Sequence, residues 1–202
     1  MIAMISSTNN TPALCRRDAV KTLLAKRKNT LIVTGLGSPS YDVHAAGDRD
    51  DNYYLWGAMG GAALVGMGLA QAQPTKTVLV ITGDGEQLMA LGSLATIAVA
   101  KPRNLVVVVD NGHFGETGMQ TSHTGHGLNL AKVAASCGFV RTATLTGIDE
   151  VEQLGQEVAT EAEGPRLFVI KVAAENPPRS LPPRDPIFIK NRFRASLGLA
   201  PA

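Results

Sequence analysis

The chain has 202 residues, 45% of them hydrophobic, 18% charged and 4% aromatic, with a formal charge of +2. That apolar share and mixed-sign charge exclude a disordered chain, the length suits one domain with a sizeable core, and the near-neutral charge lacks the basic footprint of a nucleic-acid binder. The glycines cluster near Gly35–Gly37, Gly57–Gly68, Gly83–Gly92 and Gly112–Gly127, and glycine concentrated between apolar runs marks tight turns or close approach of backbone to a ligand.

Residues 1–12 read as a loose polar start, and Arg16–Lys28 as a helix with Val20, Leu23 and Leu24 apolar among basic residues. Leu31–Thr34 is a short β-branched run that ends in Gly35-Leu36-Gly37-Ser38-Pro39. Residues 41–52 are polar and without period, so no element is predicted there. Tyr53–Trp56 is an apolar run leading into Gly57-Ala58-Met59-Gly60-Gly61, and Ala62–Gln73 reads as a small-residue helix. Thr77–Thr82 is a fully apolar strand running straight into Gly83-Asp84-Gly85. Glu86–Ala100 is predicted as one helix, and Leu105–Val109 as the next strand, ending in Asp110-Asn111-Gly112. After a glycine-rich loop come a helix near Leu128–Ser136, a strand near Arg141–Leu145, a helix near Asp149–Glu161 and a strand at Arg166–Val172.

Short apolar strands alternating with helices predict a doubly wound α/β fold, its mainly parallel sheet covered by helices on both faces. Ligands of such sheets sit at the carboxyl ends of the strands, where these glycines fall. The chain divides into an N-terminal segment and helix (1–28), a binding domain (29–176) and a Pro-rich arm (177–202). Pro177, Pro178, Pro182, Pro183 and Pro186 predict an extended stretch, after which Ile189, Phe193 and Leu197 form one stripe of a short helix. Residues 179–194 hold five basic side chains against Asp185, so the remainder of the chain is net negative. The arm is either a solvated terminal helix or a segment that docks on another subunit or closes over an anionic ligand.

Cys15 and Cys137 stand far apart, outside any metal or redox spacing, which fits a reducing compartment. Residues 1–10 lack the marks of a secretory signal, and apolar stretches such as 60–72 are too short to span a bilayer. A cytoplasmic protein away from membranes is expected.

Twenty-five residues separate Gly85 from Asn111, room for a helix and a returning strand. Asp84 and Asn111 are therefore predicted to emerge side by side at the ends of adjacent strands. Two oxygen-bearing side chains with a loop carbonyl suit Mg2+ that keeps phosphate oxygens as further ligands, and a helix beginning near Glu86 turns its N-terminus toward an anion. Singly, GDG and Asn-Gly are turns; their spacing after two buried strands points to a magnesium–diphosphate cradle. Gly35 and Ser38, at the end of the first strand, are further candidates for the diphosphate.

This GDG…N pattern resembles the cofactor motif of thiamine diphosphate enzymes. Gly57-Ala58-Met59-Gly60 is similar to a G-x-bulky-G turn of their decarboxylase branch. That likeness implies that the Gly57 carbonyl and the Met59 amide bond the cofactor's aminopyrimidine, with the Met59 side chain wedged beneath it. Asp110–Thr124 (DNGHFGETGMQTSHT) resembles the loop of sulfopyruvate and phosphonopyruvate decarboxylases, with Asn111, Gly115, Thr117, Gly118, Gln120 and Thr124 on the pattern. The resemblance implies that the His113 carbonyl joins Asp84 and Asn111 around Mg2+, and that Gly83, Gly85, Glu86, Phe114 and Gly115 also touch the cofactor.

Two residues depart from the family's pattern. Glu86 stands where a small or hydroxyl residue assists the diphosphate, so either its amide alone serves or its carboxylate turns to cap the helix. Glu116 replaces a small polar residue and, facing substrate, would disfavour a sulfonate or phosphonate. His123 is a candidate substrate-facing group; its HxxH spacing to His126 is too sparse for a metal site, and His44 is a weaker candidate for contact with the cofactor.

The resemblance implies a carboxy-lyase that takes a small 2-oxo acid to an aldehyde and CO2. In the resembling enzymes the activating glutamate sits on a pyrimidine-binding domain, for which this chain has no room. A pyrimidine-binding (α) partner subunit is therefore expected, in a hetero-oligomer with at least two copies of each chain. An acetolactate synthase-like carboligase subunit or a noncatalytic cofactor-binding scaffold would share these motifs. The cysteines of 2-oxoacid:ferredoxin oxidoreductase β subunits are missing, and GLGSPS lacks the third glycine of a dinucleotide fingerprint.

Overall fold

The computed structural model describes residues 13–158, 160 and 162–201, with the backbone alone for 105–107. The polar start read at residues 1–12 lies outside them, as does Glu161 at the predicted end of a helix. In chain order, α1 (Arg16–Leu24), β1 (Leu31–Thr34), α2 (Ser38–Ala45) and β2 (Asn52–Tyr54) come first. Then follow α3 (Ala62–Ala72), β3 (Val78–Gly83), α4 (Asp84–Met89), α5 (Ser93–Ala100) and β4 (Leu105–Asp110). A small hairpin, β5 (His113–Phe114) with β6 (Gln120–Thr121), precedes α6 (Leu130–Cys137), β7 (Arg141–Leu145), α7 (Ile148–Glu157), β8 (Arg166–Lys171) and α8 (Pro186–Ser196).

Six strands form one parallel sheet in the order β2-β1-β3-β4-β8-β7. Its central strands are buried on both sides, which is why they read as unbroken apolar runs rather than alternating ones. Helices α1, α2 and α7 pack together on one face, and α3, α5 and α6 on the other. Each face has its own apolar cluster: Val20, Leu23 and Val151 in one, Ala63, Leu94 and Ala134 in the other. Gly66 on α3 lets that helix close on the sheet, since a Cβ there would stand 2.2 Å from Val80 Cγ2.

Strand order reverses at β1: the chain leaves it for β2 on one side and returns to β3 on the other. The register places Thr34 beside Ile81 and Gly83 beside Val109. The segments after β1, β3 and β4 therefore leave the same sheet edge together, at the switch point where open α/β sheets bind ligands.

Three sequence expectations are corrected. The stretch read as aperiodic, 41–52, contains most of α2 and the first residue of β2; Pro39 near the helix start and the buried ion pairs of Asp42 settle a helix that an apolar period does not mark. The single helix expected over Glu86–Ala100 is two. It breaks at Ala90–Gly92, where Ala90 leaves helical geometry and Gln87 reaches across to the Ser93 hydroxyl at 3.3 Å. The glycine-rich loop after Asn111 contains the β5–β6 hairpin, anchored by the Ser122 amide donating to the Gly112 carbonyl at 2.8 Å.

The arm folds back on the molecule. Its helix α8 covers the β2 edge, with Ile189 and Phe193 buried and Leu197 at its end. Phe193 meets Tyr53 edge-on at 5.5 Å between ring centroids. Among the described residues, no helix is long and apolar enough to cross a membrane.

Candidate active site

An open cleft lies at this sheet edge. The turn after β1 contributes Leu36, Ser38 and Pro39; the segment after β3 contributes Gly83, Asp84, Gly85 and Glu86. From the segment after β4 come Asn111, His113, Phe114 and Gly115, followed by Glu116 and Thr117, while Met59 reaches in from the loop before α3. Most of the residues singled out in the sequence thus share one cavity.

Four stand apart from its lining. Gly35 lies behind it: a Cβ there would stand 1.6 Å from Glu86 Oε2, so only glycine leaves room for that carboxylate. Gly57 has φ of +75°, in the left-handed region that favours glycine, and a Cβ on it would meet nothing within 4 Å. His123 is exposed, its ring meeting Phe114 edge-on at 6.5 Å. His44 bonds the arm rather than the cleft, its Nδ1 lying 2.8 Å from Ser180 Oγ.

Asp84 is 3% exposed. The Ser122 hydroxyl donates to its Oδ2 at 2.5 Å and the Thr124 hydroxyl approaches the same oxygen at 2.9 Å. Neither reaches Oδ1. Thr124 also approaches Asp110 Oδ1 at 2.7 Å, and since a hydroxyl has one proton it serves one carboxylate at a time. Lys171 Nζ holds Asp110 Oδ2 at 2.7 Å. Burial pushes the Asp84 carboxyl up; the Ser122 hydroxyl opposes this, and the nearby charge of Asp110 adds to it. A buried carboxylate with a raised pKa and an open oxygen is a site that gains from a cation.

Asn111 folds into a local turn, its Oδ1 accepting from the His113 amide at 3.0 Å, which leaves that oxygen a second lone pair. One carboxylate, one amide oxygen and nearby backbone carbonyls form a hard-oxygen donor set of the kind Mg2+ takes when a ligand's phosphates fill its other positions. Among the described residues no three His, Cys, Asp or Glu side chains cluster as a metal site, so a metal here would share its shell with the ligand. The donor chemistry fits a magnesium-bound diphosphate.

Glu86 resolves its own conflict with an anion by turning away. It is 4% exposed, and the Thr82 hydroxyl donates to its Oε2 at 2.8 Å. Burial pushes its carboxyl up, partly offset by Thr82 and the backbone amides of Gly60, Leu36 and Ala62. Its side chain thus points under the turn after β1 and toward the start of α3. Glu116, the other departure, pairs with Arg179 of the arm at 3.0 Å. Met59 is 50% exposed, an apolar side chain standing open in the cleft.

Sequence reasoning missed Ser122 as a partner of Asp84, and Asp110 with Lys171 as the next layer of that network. The signal was present in Thr121-Ser122-His123-Thr124, whose last two hydroxyls the turn after β6 brings within 2.9 Å of each other. Arg16, which also lines the cleft, carried no signal, because its place depends on how α1 meets the sheet.

Comparison with known proteins agrees with this geometry. The family model "Thiamine pyrophosphate enzyme, C-terminal TPP binding domain" matches residues 40–172. Sulfopyruvate decarboxylase subunit beta of Methanocaldococcus jannaschii is 35% identical over 184 residues, which cover 90% of this chain and 96% of that protein. Phosphonopyruvate decarboxylase of Streptomyces viridochromogenes is 37% identical over 195 residues, 93% of this chain but only 47% of that protein. Among solved structures, benzoylformate decarboxylase from Polynucleobacter necessarius superposes with a TM-score of 0.69 at 18% identity, over 88% of this chain and 36% of that one. This chain therefore spans nearly all of the first relative, about half of the second and about a third of the third.

Proposed function

The chain belongs to the thiamine pyrophosphate enzymes, in the family of the sulfopyruvate decarboxylase β subunits, and on that footing we propose that it is the diphosphate-holding half of a decarboxylase for a small 2-oxo acid. The observation that carries the reading is the emergence of Asp84 and Asn111 from the adjacent strands β3 and β4 into one cleft, with Ser38 opposite.

When bound, thiamine diphosphate supplies the electron sink for loss of CO2, and Mg2+ ties its diphosphate to the protein. Asp84 and Asn111 would hold the metal, with the His113 carbonyl as a third protein ligand. Ser122 and Thr124 fix the Asp84 carboxylate so that Oδ1 is the free oxygen. Gly83, Gly85, Phe114 and Gly115 shape the passage for the diphosphate, and Ser38 closes it from the β1 side, with Gly35 behind it making room for the Glu86 carboxylate. Gly57 and Met59 would position the aminopyrimidine, with Met59 offering it an apolar surface. His123 stands farther out, where a substrate enters.

The activating carboxylate comes from a pyrimidine-binding partner subunit. Support for this is the chain's match to nearly the whole of a protein named as a β subunit, and to about half of one named phosphonopyruvate decarboxylase. Substrate is a small 2-oxo acid of the sulfopyruvate or phosphonopyruvate kind, giving an aldehyde and CO2. The Glu116–Arg179 pair removes the objection that Glu116 would repel such an anion.

The test is co-purification of this chain with its partner, a magnesium-dependent titration of thiamine diphosphate, and assay of several 2-oxo acids for CO2 and aldehyde. Full decarboxylase activity from this chain alone would overturn the split site. Coupled products in place of an aldehyde would make it a carboligase, and normal retention of magnesium and cofactor by Asp84→Ala would overturn the metal assignment.

A further inference from the structure

Among the described residues that line the cleft, Arg16 is the sole lysine or arginine, and no role described so far uses it. It stands in the first turn of α1, brought to this sheet edge by the bridge between Leu14 and Val172. The residue is 4% exposed. Its Nε lies 2.5 Å from Asp42 Oδ2, and Asp42, fully buried on α2, is also reached by Arg17 Nε at 3.3 Å. Two guanidiniums share one carboxylate, so this wall of the cleft keeps a net positive charge in a place shielded from water. The ion pair engages Nε; the terminal nitrogens of Arg16 make no hydrogen bond among the described residues.

We propose that Arg16 binds a tetrahedral oxyanion in the cleft, and that this oxyanion is the outer phosphoryl group of the cofactor's diphosphate. The inference rests on the thiamine diphosphate reading above. A diphosphate brings more negative charge than one Mg2+ cancels, Asp84 adds to it, and Arg16 is the cation at hand. The planar guanidinium fork matches phosphoryl oxygens two at a time, and in a site this dry the attraction is strongly felt. Position favours the cofactor over the substrate. Asp42 tethers Arg16 to α2, whose first residue Ser38 already lines the cleft. Met59, beside which the reacting ring rests, enters from the loop before α3, on the other face of the sheet.

The experiment titrates the full chain with inorganic pyrophosphate at fixed Mg2+ and reads the rise in unfolding temperature. Removing Arg16 alone strands Asp42 beside a single arginine, so the main variant is Arg16→Gln with Asp42→Asn, and Asp42→Asn alone is its control. The control is expected to keep pyrophosphate affinity within a few-fold, and the double variant to lose about tenfold or more. Should the double variant not fold, Arg16→Lys keeps the ion pair without the fork and is expected to lose a few-fold.

Unchanged pyrophosphate affinity in the folded double variant, or in Arg16→Lys, overturns the proposal. If KM in the assembled enzyme then rises for a 2-oxo acid bearing a sulfonate or phosphonate but not for pyruvate, the oxyanion belongs to the substrate. Failure of the wild-type chain to respond to magnesium pyrophosphate is a different result: it defeats the cofactor reading itself, and the role of Arg16 with it.

Discussion

Asp84, which lines the cleft, and Arg179, whose partner Glu116 lines it, are held in opposite ways. Asp84 is buried, with two hydroxyls on one oxygen and a second carboxylate nearby that raises its pKa. Arg179 has a side chain 63% exposed, paired with Glu116 and lying 5.7 Å over the Tyr41 ring. The buried group is kept in place against its own desolvation, which on the proposed reading serves a ligand and not the fold. The exposed pair fastens a strap that solvent and salt easily loosen. On the proposed reading, one region binds and the other covers.

The sharpest test of that contrast is Asp84→Asn. It removes the carboxylate proposed to hold the metal, and magnesium-dependent cofactor affinity is expected to fall by roughly a hundredfold or more. Without ligand, the same variant is expected to unfold at the same temperature as wild type or higher, because a desolvated charge beside Asp110 is gone. The pH dependence follows from the raised pKa values of Asp84 and Glu86. Each favours the folded state fully below the unfolded carboxyl value of about 4 and loses that contribution as pH rises through its folded pKa. Ligand-free wild type therefore loses stability on their account as pH climbs from about 4, and Asp84→Asn loses less. Thermal melts between acid and neutral pH check both; a variant less stable than wild type at neutral pH would mean that Asp84 supports the fold.

The arm's own anchor lies beyond the strap. Phe193 is 6% exposed and meets the Tyr53 ring edge-on, so Phe193→Ala is expected to cost about 3–5 kcal/mol in urea unfolding. A cost under about 1 kcal/mol, the range of exposed pairs, would make α8 as detachable as the strap. Smaller again is Gly35→Ala, which drives a Cβ into Glu86 Oε2. Overpacking of this kind costs about 1–3 kcal/mol, and adding Glu86→Ala is expected to recover most of it. Failure of the second change to rescue would place the clash on Thr82 Oγ1, the next neighbour at 2.9 Å.

What the sequence showed of this molecule follows from what is local. Strands β1, β3, β4 and β8 are apolar runs bounded by glycine or a charge, and their identity and parallel arrangement were legible from that pattern. So was the arrival of Asp84 and Asn111 at one cleft, because a helical crossover between adjacent parallel strands fixes it, whether it holds one helix or the two observed. Helix α2 was not, since its residues are buried through the Asp42 ion pairs and not through an apolar stripe. Nor was the direction of Glu86, which depends on Gly35 and Thr82, or the place of Arg16, which depends on a bridge to Val172 at the far end of the domain. Polar contacts between distant segments leave no period in a sequence.

Arg179→Ala carries the smallest expected effect and says most about the strap. The pair with Glu116 is half in solvent, so its loss is expected to cost under about 1 kcal/mol, a fall of no more than about 4 °C in unfolding temperature for a chain of this size. The strap has other holds: Ser180 bonds His44, and the Trp56 indole donates to the Pro183 carbonyl at 2.9 Å. The change is therefore expected in local opening, with faster amide hydrogen exchange over residues 179–185 and no change in β3 or β4. It also leaves Glu116 without its counter-charge at the mouth of the cleft, so anionic ligands are expected to bind a few-fold less tightly at low salt, with the difference shrinking as salt is added. Exchange that rises across the whole sheet would show the strap to be part of the cooperative core, and the division between a region that binds and a region that covers would fall.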